Sequence, residues 1–117
     1  MAEYLIFAVS YSEKDEHIEW LLIARQEGKG LKATSIVSRA FIVDLIKNNV
    51  ATFKTAVIRD KIFYRGADVV VYDEDFLTTT ADATEENNLQ RLPSFVVPQK
   101  EIDDSIKMAL EEAYGSI

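Results

Sequence analysis

The densest run of β-branched and aromatic residues lies between Thr52 and Thr80, TFKTAVIRDKIFYRGADVVVYDEDFLTTT, and is broken twice by turn-forming clusters. Phe53, Thr55 and Val57 alternate with Lys54, Ala56 and Ile58. That period of two suits a pleated strand with one buried face. Arg59-Asp60-Lys61 reads as a turn. Ile62 to Tyr72 reads as a returning strand in which Gly66 marks a bulge or break. Asp73-Glu74-Asp75 makes a second turn and Phe76 to Thr80 a short last strand. The pattern predicts a three-stranded antiparallel meander.

Upstream, Tyr4 to Tyr11 (YLIFAVSY) is almost wholly apolar, as expected of a strand covered on both faces or paired centrally. Ser12 to Glu16 is a turn. His17 to Gln26 is open between two periods. Alternation puts Ile18, Trp20, Leu22 and Ala24 on one face, whereas helical spacing groups Ile18, Leu21, Leu22 and Arg25. Its shortness and the loop Glu27-Gly28-Lys29-Gly30 favour a hairpin partner for the first strand. Ser35 to Asn49 carries helix signals. Ser35 or Ser38 serves as N-cap, and Phe41, Ile42, Leu45 and Ile46 fall on one stripe. Lys47 sits near the negative end, and Asn48 and Asn49 tolerate the left-handed conformation that ends helices.

Downstream, Ala81 to Asn88 is a polar loop closed by Leu89, Leu92 and Pro93, with Phe95 to Val97 as a brief extended piece docking on the core. After Pro98, Lys100 to Tyr114 reads as a helix. Ile102, Ile106, Ala109, Leu110 and Ala113 recur at its period, acids fill its first turn, and Gly115 follows it. The expected fold is α+β: an antiparallel sheet of about five strands, one internal helix and a C-terminal amphipathic helix. One domain spans 1–117, with a sheet core over 4–80, a loop over 81–98 and a helix over 99–115.

Composition narrows the function more by exclusion than by assignment. The 117 residues include no cysteine, which removes disulfides, thiolate metal sites and cysteine nucleophiles. No apolar run approaches the roughly 18–20 residues that span a bilayer. The first residues lack the basic start of a signal peptide, so the expected location is cytoplasmic, in a producing or infected bacterial cell. A net charge of −7 argues against binding duplex DNA. Mimicry of a nucleic acid is a sharper reading of that charge, but simple solubility outweighs it.

Candidate chemistry is sparse. His17, the single histidine, lies in a charged turn beside Asp15 and Glu16, where a solvated surface role outweighs a pH-sensitive one. Asp73-Glu74-Asp75 lacks the spacing of a calcium loop. Gly28-Lys29-Gly30 fails the P-loop pattern. No metal site, cofactor site or nucleophile–base pair is legible, so the expectation is a protein that is not an enzyme and carries no cofactor.

What remains is a constellation around the meander: Arg59, Arg65, Phe76, Asn87, Asn88 and Arg91. Guanidinium groups fork onto phosphates, Asn side chains read base or ribose edges, and an aromatic ring stacks on a base. These residue types point to a small anionic, nucleotide-like ligand. The bland alternative is solvated arginines, an Asn-Asn turn and a core Phe76. The rival function is an acidic protein–protein interaction or inhibitor domain. The terminal helix adds a candidate homo-oligomer contact, with the chain itself as partner and no membrane or duplex DNA.

At the first strand, the helix, the hairpin and the following loop, the chain resembles a family of small uncharacterised bacterial and phage domains. Those share a polar loop ending in Asn-Leu-x-x-Leu-Pro, here Asn88, Leu89, Leu92 and Pro93, after Asp68-Val69-Val70-Val71 in the hairpin. The resemblance covers Tyr4 to Pro93 and implies a compact α+β domain without known enzyme activity. The terminal helix extends past it. In size and layout alone the chain is similar to phage anti-defence sponge proteins. That likeness implies a homo-oligomer sequestering cyclic ADP-ribose or cyclic oligonucleotide signals, with pockets at subunit interfaces.

Overall fold

The computed structural model describes residues 1–14, 16–80 and 88–115. Strand β1 (Ala2–Tyr11) is the axis of the fold, and its residues from Leu5 to Ser10 are all buried. It has neighbours on both edges and apolar cover on both faces, as its unbroken apolar run requires. On one edge β1 pairs antiparallel with β2 (Ile18–Glu27), and β2 pairs with β3 (Gly30–Ser38). On the other edge it pairs with β4 (Ala51–Arg59), followed by β5 (Ile62–Tyr72) and β6 (Phe76–Thr79). The α+β class holds, with a six-stranded sheet of order β3-β2-β1-β4-β5-β6.

Several features differ from expectation, beginning with a sixth strand, β3, that the sequence pattern did not predict. The β1–β4 pair is parallel, so the sheet is mixed rather than antiparallel throughout. The segment beginning at Ser35 is strand until Ser38, and helix α1 runs only over Arg39–Lys47. Ser38 caps that helix by accepting a hydrogen bond from Phe41 N at 3.2 Å, so the second of the two candidate caps is the one used. The buried stripe is also rotated. Ile42 and Val43 face the core, whereas Phe41 is exposed.

α1 packs across one face of the sheet, touching β2 through β6. The main core lies beneath it and includes Ile6, Val9, Leu21, Ile42, Phe53, Val69, Leu77 and Leu89. A smaller cluster of Leu5, Phe7, Ala24 and Ala56 occupies the opposite face. A bulge between Ile6 and Ala8 resets the alternation of β1, which is why Ile6 and Val9 share the α1 side.

The meander β4–β5–β6 forms as expected. Its first turn places Asp60 and Lys61 at φ 51° and 65°, the left-handed pair that a two-residue hairpin demands. The register slips between Lys54 and Ala56 of β4, opposite Gly66. β5 pairs with β4 as far as Asp68 and with β6 from Val69 onward. Beyond the slip, Val69 and Leu77 join the α1-side core, so the β5–β6 ribbon curls over that face.

Chain 93–95 runs beside the C-terminal end of β1. Val9 N donates to Pro93 O and Phe95 N to Val9 O, each at 3.0 Å. Helix α2 (Gln99–Tyr114) follows, but it does not cap the sheet, and none of its residues is buried. Its stripe is open to solvent, with Ile106 54% and Leu110 44% exposed. Among the described residues, no helix is long and apolar enough to cross a membrane.

Candidate functional site

The curl of β5–β6 brings Tyr72 and Phe76 to the place where β1 ends and β2 begins. There Phe76 stacks on His17, with ring centroids 4.4 Å apart, and Tyr72 lies 5.7 Å from Phe76. Arg39, the first residue of α1, sets its guanidinium carbon 4.7 Å from the Phe76 ring centre. Tyr11 closes the far side, its hydroxyl donating to Gln90 O at 3.4 Å. These side chains line a cleft of about 80 Å³ that also touches Glu16, Ile18 and Leu77.

Arg39 is the unusual group. A cation at a helix N-terminus opposes the helix dipole, and α1 has no acid in its first turn to offset it. Its side chain is only 18% exposed and reaches Glu19 Oε2 at 3.9 Å. Nη1 donates to Ile18 O at 3.4 Å. The buried Nε has no hydrogen-bond partner among the described residues. The Nε is closed off from solvent, so its unmade hydrogen bond costs about 1–3 kcal/mol. On the other side of the Arg39–Phe76 wall, a second cleft of about 330 Å³ opens between α1 and Asp75.

Tyr11 also borders a larger cleft of about 510 Å³, between the β1–β2 turn and the start of α2. Trp20 and Gln99 face each other there, the indole N–H donating to Gln99 Oε1. No group of three or more His, Asp or Glu side chains suited to a metal occurs among the described residues.

Among the described residues of the proposed ligand-binding constellation, Phe76 alone lines the Arg39 cleft, beside His17, which lies outside that constellation. Arg59 lies exposed at the β4–β5 turn, 5.6 Å from the Tyr64 ring. Arg65 Nη1 lies 3.3 Å from both carboxylate oxygens of Glu3, and its Nε 3.3 Å from Gln26 Oε1, so it ties β5 to β1 and β2. Asn88 caps a short 3₁₀ turn, Leu89–Arg91, by accepting from Gln90 N at 3.0 Å. Arg91 ends that turn, exposed. Asn87 lies outside the described residues. His17, read from sequence as solvated, is instead half-buried against Phe76.

Sequence reasoning missed Arg39, Tyr11 and Tyr72. The available signal for Arg39 was a basic residue in the first turn of a helix, where acids belong. The tyrosines gave none, because strand-end aromatics are ordinary.

Fold and clefts together define a small α+β domain whose strand-end site combines aromatic rings with one partly buried guanidinium. The chain belongs to the family described as "Protein of unknown function (DUF3892)", which matches residues 5–93. Helix α2 lies beyond the matched segment. No curated protein and no solved structure matches the chain.

Proposed function

We propose that the protein is a non-enzymatic binder of a small ligand joining a planar ring to one or two negative charges. A nucleotide-derived signal, such as a cyclic ADP-ribose isomer or a cyclic oligonucleotide, has that chemistry. The observation that carries this reading is Arg39, a guanidinium only 18% exposed that sits over the Phe76 ring and lines the cleft with it. Glu16 lines the cleft and Glu19 pairs with Arg39, so a triphosphate is disfavoured while a phosphodiester is accommodated. Sequestration of an immune signal by a phage protein is the specific form of this reading. What supports that form is the layout: a sheet-plus-helix protomer whose terminal helix has no buried residue.

Thermal-shift screening tests the proposal, using cyclic ADP-ribose isomers, cyclic di- and trinucleotides, and adenosine monophosphate. A ligand at about 100 times its Kd contributes about 2.7 kcal/mol, which raises Tm by several degrees in a domain of this size. Arg39→Gln is expected to abolish the shift, and Arg39→Lys to restore only part of it, because lysine lacks the planar fork. The absence of any shift at saturating concentrations would overturn the reading.

Helix α2 favours a second element, a symmetric pair of chains. An antiparallel α2 pair crossing near Ile106 would cover both exposed apolar stripes. Light scattering is expected to report two chains for 1–117 and one after removal of 99–117. An unchanged mass in the shortened chain rejects it.

A further inference from the structure

We infer that the cleft between the β1–β2 turn and the first turn of α2 seats the planar ring of the ligand, an inference that rests on the ligand-binding reading. The Arg39 cleft, at about 80 Å³, has room for an anionic group but not for a heterocycle. Pockets that enclose small molecules usually measure about 300–1,000 Å³. The neighbouring cleft, at about 510 Å³, falls inside that range. Tyr11 lines both spaces. Glu19 lines the larger one while pairing with Arg39 of the smaller, so the two halves share a wall. A ligand with a ring at one end and a phosphate at the other spans that wall.

Trp20 is fixed for the task. Its indole N–H donates to Gln99 Oε1, and Gln99 Nε2 donates in turn to Asp103 Oδ1 at 2.9 Å. The indole is therefore held in one orientation in the cleft wall, which lowers the ordering cost of a ring stacked on it. Aromatic stacking accepts any base, because every base has a π-face. Lys14 on the turn and Lys100 on α2 border the same cleft and partly offset Glu13 and Asp103. This balance suits a ring carrying few charges. One wall comes from α2, beyond the family-matched residues 5–93, so the ring seat depends on this chain's C-terminal extension.

Trp20 is the protein's single tryptophan, so its fluorescence reports this cleft alone. Titration of the full chain with adenosine monophosphate and with the thermal-shift probes is expected to quench that emission saturably. Inorganic phosphate, which lacks a ring, should leave it unchanged. Trp20→Ala and Lys100→Glu are each expected to weaken binding at least tenfold by calorimetry, with circular dichroism unaltered, and Trp20→Phe to retain most of it. Suppose a probe raises Tm in an Arg39-dependent way, yet leaves Trp20 emission unchanged and binds Trp20→Ala with full affinity. That result overturns the ring seat and leaves the ligand reading standing. If no probe gives either signal, both fall.

Discussion

At the scale of single residues, the informative positions are those that break a local rule. Arg39 opposes a helix dipole and tolerates a buried unpaired Nε; such conflicts concentrate where a protein meets a ligand. Lys61 breaks a different rule for a different reason. It holds φ at 65° in the β4–β5 turn, a conformation in which a side chain costs about 1 kcal/mol and glycine nothing. Nothing in the candidate site uses Lys61, so the strain there is separable from binding. Lys61→Gly is expected to raise unfolding stability by about 0.5–1 kcal/mol, somewhat less than the full strain because glycine also loosens the unfolded chain. Urea denaturation checks this as a higher midpoint at unchanged slope. A lower midpoint rejects the assignment of strain.

Secondary elements show how far patterning carries. Strands β1, β4, β5 and β6 were legible because each keeps an apolar run or a period of two between recognisable turns, whereas β2 stood open between two periods and only its shortness and the following loop favoured a strand. β3 was not. It is an edge strand with mostly exposed residues, and Ala33 at φ 55° resets its alternation, so Ser35 to Ser38 could be absorbed into the following helix. The site was legible only at Phe76, since the contacts that build it come from a curl rather than from a motif. That curl begins at the β5 slip opposite Gly66, where buried Thr55 accepts a hydrogen bond from Ala67 N at 3.0 Å through its Oγ1. Thr55→Val keeps the shape and removes the acceptor. The half-buried N–H left behind is expected to cost about 0.5–1.5 kcal/mol by urea denaturation. The same variant should weaken ligand binding, because the ribbon carrying Phe76 loses its anchor. A stability loss below about 0.5 kcal/mol would show that the slip is held by other contacts.

Over the whole molecule, stability is unevenly spread. The radius of gyration is 15.4 Å, against about 13 Å for a compact chain of this length. Extents of 48 × 32 × 28 Å fit a packed body with a helix standing off it. The body is held by β1, which opens only if the sheet and both apolar clusters come apart. α2 is held by its own hydrogen bonds and the tether of Gln99 to Trp20. A helix of 16 residues without a packed face is marginal in water. Amide hydrogen exchange should therefore separate the two. Amides of β1 and β4 are expected to exchange only through global unfolding, with protection equal to the full stability of about 5–15 kcal/mol. Amides of α2 in a dilute sample are expected to show close to none. If two chains pair through α2, its protection must rise with protein concentration, about tenfold in exchange rate for each tenfold increase in free chain once pairing dominates, while that of α1 stays fixed. Strong α2 protection that ignores concentration would place the stripe against its own sheet and reject the pair. Protection absent at every concentration would leave the stripe without a partner copy, and would also loosen the Gln99 wall on which the Trp20 cleft depends.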